Sequence, residues 1–235
     1  MPRKAQRTSP RSATRSARTL ACAAVAIPAL LVAGCSSGSG GESEPTSEKG
    51  DSSPSPAPVK FKGLPDACKT LSKDTVKKLT PKTDNASGKR IGTGNTQDSG
   101  SCLWSGLDKF DYRQVTVSLK RFESDASRGS GDKLAGAFLQ QQTDALKTDK
   151  SNKELKTAPV KGIGDEAISV SYKVDKKDGK KSESFREERL VVRSANVVVS
   201  VDYAGAGFED AKTPSAGDLG KNAEKAAKEA VAFLK

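Results

Sequence analysis

The chain has 235 residues, of which 29% are charged and only 5% aromatic, with a formal net charge of +11. It contains no histidine, which removes Ser-His-Asp and Cys-His catalysis together with the commonest metal ligand. The seven Phe, three Tyr and single Trp all lie at or after Phe61, so residues 1–60 supply no core. The remaining stretch, about 175 residues, is a comfortable size for a single domain.

The charge is unevenly spread. Residues 1–34 carry six basic groups (Arg3, Lys4, Arg7, Arg11, Arg15, Arg18) and no acidic one. From Phe61 onward 32 basic residues face 25 acidic ones, a mildly basic surface of mixed sign. Such a surface favours anionic surroundings without identifying nucleic acid.

Leu20–Ala33 is an apolar run, too short for a hydrocarbon core that needs about 20 residues to span. Behind a basic stretch, this pattern predicts a signal peptide over residues 1–34. The run closes on Leu31-Val32-Ala33-Gly34-Cys35, which resembles the bacterial lipobox. Small residues before the cysteine suit a peptidase that cuts just ahead of a thiol already carrying diacylglycerol. Cys35 is therefore the expected lipid attachment and the new N-terminus, anchoring the chain to the extracytoplasmic face of the cell membrane. No twin-arginine pair abuts the apolar run, which favours the general secretion route. An ordinary cleaved signal peptide is the competing interpretation.

Residues 36–60 are rich in Gly and Ser, then in Pro, with almost nothing apolar. Such a segment cannot bury enough surface to offset its ordering entropy, so residues 35–60 are expected to be a lipidated, flexible linker. A Pro-rich ligand for a partner domain is the lesser alternative.

In the rest of the chain, Cys68 and Cys102 form an even pair in an oxidising compartment and are expected to be disulfide-bonded. They are not arranged as C-x-x-C, so the bridge is expected to be structural, tying the first helix to the first strand.

Pro65–Leu79 predicts a helix, broken near Ser72. Residues 83–101 read as a long loop, and Cys102-Leu103-Trp104 as a short strand. Tyr112–Phe122 alternates with period two and predicts a strand. Asp125–Leu146 predicts a helix weakened at its start by Gly129 and Gly131. Leu155–Val160 is a candidate short strand. Ile168, Val170, Tyr172 and Val174 alternate, Asp178-Gly179 signals a hairpin, and Phe185–Val192 returns. Asn196 marks a turn into the strand of Val197, Val199, Val201 and Tyr203, which Gly205-Ala206-Gly207 is expected to end. Ala223, Ala226, Ala227, Ala230, Val231 and Leu234 line one face of a C-terminal helix. The expected fold, over residues 61–235, is α+β: a mainly antiparallel sheet with helices packed on it, in a single domain.

Leu64-Pro65-Asp66-Ala67-Cys68, Cys102-Leu103-Trp104, Gly162-Ile163-Gly164-Asp165-Glu166-Ala167 and Arg193–Val201 come after the lipobox in that order. Together they resemble a family of actinobacterial lipoproteins defined by a domain of unknown function. The resemblance covers roughly Phe61 to Lys235. It implies secretion, a disulfide and a compact α+β domain, and brings no catalytic residues. Relatives more often have Gly before the Asn at the position of Ala195. More distantly, the layout is similar to the PsbP/Mog-like sandwich lipoproteins, a class associated with binding or partner roles.

Four further features have plain structural explanations. Lys173–Lys181 holds five lysines but no interleaved aromatic, which suits a solvated hairpin better than a polyanion site and argues against nucleic acid. Asp165-Glu166 as neighbours on a strand would face opposite ways, so no metal is expected there. Gly205-Ala206-Gly207 lacks the third glycine of a dinucleotide fingerprint, and no cofactor is expected. Asn85-Ala86-Ser87 matches a glycosylation sequon that a bacterial lipoprotein has no reason to use. Trp104 is left with two roles, core packing against the disulfide or the wall of a ligand pocket.

The sequence thus favours a non-enzymatic envelope module that binds an envelope protein, a polymer or a small ligand. A small-molecule or lipid carrier, with a pocket between sheet and helices, is the alternative. An enzyme would have to rest on carboxylate, Lys or Tyr chemistry, and no residue set stands out for it.

Overall fold

The computed structural model describes residues 55–92, 96–178, 181–209 and 211–234. The expected signal peptide, Cys35 and most of the expected linker lie outside these residues. Seven strands form one antiparallel sheet: β1 (Lys89–Ile91), β2 (Ser99–Asp108), β3 (Asp111–Arg121), β4 (Lys153–Pro159), β5 (Glu166–Asp178), β6 (Lys181–Ser194) and β7 (Val197–Gly207). Their spatial order is β1-β2-β3-β7-β6-β5-β4. Three helices, α1 (Lys73–Leu79), α2 (Gly131–Thr148) and α3 (Ala216–Ala232), complete the α+β domain.

The helices take both faces of the sheet. On one face, α1 and α3 cover Val115, Val117, Leu119, Leu190, Val192, Val199 and Val201. The contact face of α3 is Leu219 and then Ala223, Ala226, Ala227 and Ala230, whose small side chains let the helix lie close to the sheet. On the other face, Ala135 and Leu139 of α2 meet Val191 and Val198, and Leu146 meets Val170 and Tyr172. Two-sided burial explains why Leu190–Val192 of β6 and Val197–Val201 of β7 read as nearly continuous apolar runs rather than alternating ones.

Tight turns set the register. β2 and β3 pair through Asp108 and Asp111, leaving Lys109-Phe110 as a two-residue loop with Lys109 at φ 56°. β6 and β7 close through Ser194 and Val197 around Ala195-Asn196, with Ala195 at φ 48°. Asp178 pairs with Lys181, consistent with the hairpin expected there; Gly179 and Lys180 lie outside the described residues.

Several expected elements are corrected. The first helix is split: Ala67–Lys69 is a 3-10 turn, and Ser72 then caps α1 by accepting from the Thr75 amide at 3.2 Å. The supposed loop before Cys102 contains β1 and the first residues of β2, extended by pairing with β2 and β3 respectively rather than by propensity. Helix α2 starts at Gly131, because Asp125 instead closes a turn by accepting from the amides of Ser127 and Arg128. Gly205-Ala206-Gly207 is the last stretch of β7, which ends at Gly207 as expected but stays paired with β3 to that residue. At Gly207 a Cβ would lie 2.1 Å from the Ala211 carbonyl oxygen, and at Gly205 one would lie 2.6 Å from the Pro214 ring. The glycines let the chain leading into α3 fold back across the strand while pairing with β3 continues.

Candidate functional site

The disulfide joins Cys68 and Cys102, with Cα atoms 5.0 Å apart. It ties the 3-10 turn, not α1, to β2, the second strand. Trp104 lies two residues along β2 on the same face and is 1% exposed. Its role is core: it packs among the residues between sheet and helices, and the hollow at the Lys109-Phe110 loop does not reach it. A Cβ at Gly88 would stand 2.5 Å from both Trp104 Nε1 and Cys102 Sγ, so that glycine, at φ 78°, closes the lid over them. Asn85 builds this lid: its Nδ2 donates to the Gly88 carbonyl at 2.9 Å and its Oδ1 accepts from the Ser87 amide at 3.0 Å. The side chain of the sequon therefore serves the turn.

The N-terminal side of the domain is fixed by Asn196, a fully buried side chain. Its Oδ1 accepts from the Phe61 amide, and its Nδ2 donates to the carbonyls of Phe61 and Phe122, each at 2.9 Å. The leading chain thus enters at the β6–β7 turn. The Lys109-Phe110 loop lies at the other end of the same sheet, since Asp111 pairs with Gly207 and Arg121 with Val197.

The lysines of residues 173–181 are partly spoken for. Lys173 pairs with Glu154, and Lys176 with Glu187, both at 2.6 Å. Lys176 also sits 4.4 Å from the centre of the Phe185 ring. Asp165 accepts from the Ala195 amide at 2.6 Å, and among the described residues no acidic cluster could hold a metal ion.

Glu188 is a carboxyl that neither sequence period nor spacing singled out. It lies 3% exposed on β6 beneath α3, where a Cβ at Gly220 would stand 4.0 Å from its carboxyl. It accepts a hydrogen bond from Ser169 Oγ. Burial pushes its pKa above the usual carboxylate range, the Ser169 hydroxyl draws it back, and Glu224 on α3 raises it further.

A hollow of about 480 Å³ opens at the Lys109-Phe110 loop, between it and the chain leading into α3. Its charges balance: Lys109, Arg113 and Lys212 against Asp108, Asp111 and Asp218. Phe110 is 50% exposed there and Leu107 beside it 49%.

The sheet face that carries α2 is different. Helix α2 packs on β5, β6 and β7, and the β2–β3 part of that face is open. On β2 the outward positions are Ser101, Leu103, Ser105 and Leu107, all solvent-accessible. On β3 they are Tyr112, Gln114, Thr116 and Ser118, with Thr116 nearly closed off. None is charged. Ser101 Oγ donates to Ser118 Oγ at 2.9 Å across the pair, and Tyr112 donates to Gln114 Oε1 at 2.7 Å. Tyr112, Phe185 and Phe208 form a ring cluster at the end of this strip, with centroids 5.8 to 6.2 Å apart. Along its β7 side, Arg189 and Asp202 neutralise each other in an ion pair. The sequence shows the alternation of these strands but not which face stays open, because that depends on where α2 lands.

No protein-family model and no curated protein matches the chain. Among solved structures, the chain is similar to LpqN, described as involved in cell envelope biogenesis of Mycobacterium tuberculosis. That likeness has 14% identity and a TM-score of 0.30, over 60% of this chain and 82% of the other. Among the described residues no helix is long and apolar enough to cross a membrane.

Proposed function

We propose that this protein is a lipid-anchored, extracytoplasmic module of the cell envelope that binds rather than catalyses. The observation that carries the reading is the position of Cys35, directly after Leu31-Val32-Ala33-Gly34 at the end of the apolar run. The disulfide between Cys68 and Cys102 supports it, since such bridges persist in oxidising compartments. The carrier alternative needs room between sheet and helices, and Trp104, Leu190 and Leu219 occupy that space. The open uncharged strip on β2 and β3 is the surface best suited to a partner. The anchor is tested by mass spectrometry of the mature N-terminus and by fractionation of a Cys35→Ser variant. Acylated Cys35, and release of the variant from membranes, are expected. An unmodified N-terminus or unchanged membrane retention would overturn the anchor.

A further inference from the structure

The open strip is too narrow for most macromolecular partners and too bare of charge for an ordinary wet surface. In a chain that is 29% charged, the eight outward positions from Ser101 to Leu107 and from Tyr112 to Ser118 contain no charged residue. Charge is confined to the margins: Lys89 flanks Leu103 on β1, Lys120 comes after Ser118, and Arg189 and Asp202 cancel on the far side.

Two strands about 4.8 Å apart, rising ~3.4 Å per residue over these stretches, give a strip roughly 10–15 Å wide and about 24 Å long. Its area, on the order of 300 Å², falls short of the ~800 Å² per partner that a stable protein interface or a second copy of this chain requires. It fits one elongated strand. An extended peptide binds sheets through backbone groups at an edge, and the strip is a face: β3 is paired on both sides, and β2 is paired with β3 throughout and with β1 at Ser101–Leu103. What the strip offers instead is side-chain chemistry: the hydroxyls of Ser101, Ser105 and Ser118, the Gln114 amide, the flat flank of Leu103 and the Tyr112 ring.

We propose that this strip binds a single strand of an uncharged polysaccharide, its hydroxyls meeting Ser105 and Gln114 and its apolar ring faces resting on Tyr112 and Leu103. This names the class of ligand for the proposed binding module and rests on that reading, but it does not depend on the lipid at Cys35.

The test is affinity electrophoresis of the full chain, purified in mild detergent, through gels containing dextran, laminarin, galactomannan or arabinan, with polygalacturonate as the anionic comparison. Retardation by at least one neutral polysaccharide is expected, unchanged between low and high salt because no charge pairs are there to be screened. Tyr112→Ala should weaken it at least tenfold. Because Tyr112 also packs on Phe185 and Phe208, the accessible substitutions Ser105→Lys and Leu103→Glu supply the second arm. They should abolish retardation at an unchanged melting temperature. The proposal is overturned by retardation in none of the neutral gels, by retardation that salt removes or that only polygalacturonate gives, by binding indifferent to Ser105→Lys and Leu103→Glu, or by a dimer in sedimentation that these substitutions dissolve.

Discussion

The side chain of Asn196 and the backbone of Phe61, 135 residues apart, are joined by a reciprocal pair of hydrogen bonds, each 2.9 Å long. A third bond, to the Phe122 carbonyl, uses the remaining amide hydrogen, so the buried side chain is the knot of three chain segments. Asn196→Ala leaves three backbone groups short of a partner. At roughly 1–3 kcal/mol for each buried group left unsatisfied, the variant should lose several kcal/mol in urea denaturation. Proteolysis near Val59–Lys62 should accelerate as well, and a variant as stable and as protected as the parent would contradict the knot.

The neighbouring residue invites the opposite change. Ala195 sits at φ 48°, where an L side chain costs about 1–2 kcal/mol and glycine costs nothing sterically. Ala195→Gly should stabilise the domain by up to ~1 kcal/mol after the entropy glycine adds to the unfolded chain. Paired thermal melts of parent and variant measure the difference.

The bridge from Cys68 to Cys102 spans 34 residues of sequence. Constraining a loop of that length in the unfolded chain contributes roughly 3–4 kcal/mol. The double substitution Cys68→Ser, Cys102→Ser should lower stability by about that amount in urea. Reductant should then shift the parent's midpoint and leave that of the variant unmoved.

Glu188 makes stability depend on pH in the direction opposite to most carboxylates. Its folded pKa lies above its unfolded value because it is buried beneath α3 and faces Glu224. The folded state therefore holds a proton that the unfolded state releases. Its contribution is present below the unfolded pKa of 4.5 and is lost as pH rises through the raised folded value. Compared with Glu188→Gln, the parent should match it at acidic pH and melt progressively lower as pH rises toward neutrality. Parallel melting curves across that window would remove Glu188 as the cause.

The single tryptophan reports on the core. At 1% exposure, Trp104 should emit at short wavelength and resist quenching by iodide. Ready quenching in the folded state would mean that the Gly88 lid does not close over the ring.

Much of this architecture is legible in the residues. The alternation of Ile168, Val170, Tyr172 and Val174, and the periodic alanines of α3, specify element type because each element buries one face. The break at Ser72 is visible as a cap. The parts that escape reading depend on partners distant in sequence. Ser99-Gly100-Ser101 has little strand preference of its own and extends because Ser118–Lys120 lies beside it. Gly205 and Gly207 read locally as a stop, yet serve as clearance for Ala211 and Pro214. The pattern Ser101-Cys102-Leu103-Trp104-Ser105 announces two faces, and only the placement of α2 over β5–β7 leaves the serine and leucine side open.

The entry of the leading chain at the Asn196 turn has a mechanical consequence. A load applied between that segment and anything held on the outer face of β2 and β3 would pass through the middle of the sheet, not peel it from an edge. It would be carried along the β3–β7 ladder, whose register runs unbroken from the Asp111–Gly207 pair to the Arg121–Val197 pair. The Asn196 knot and this ladder would then bear the tension in series, and the short edge strand β1 would bear none of it.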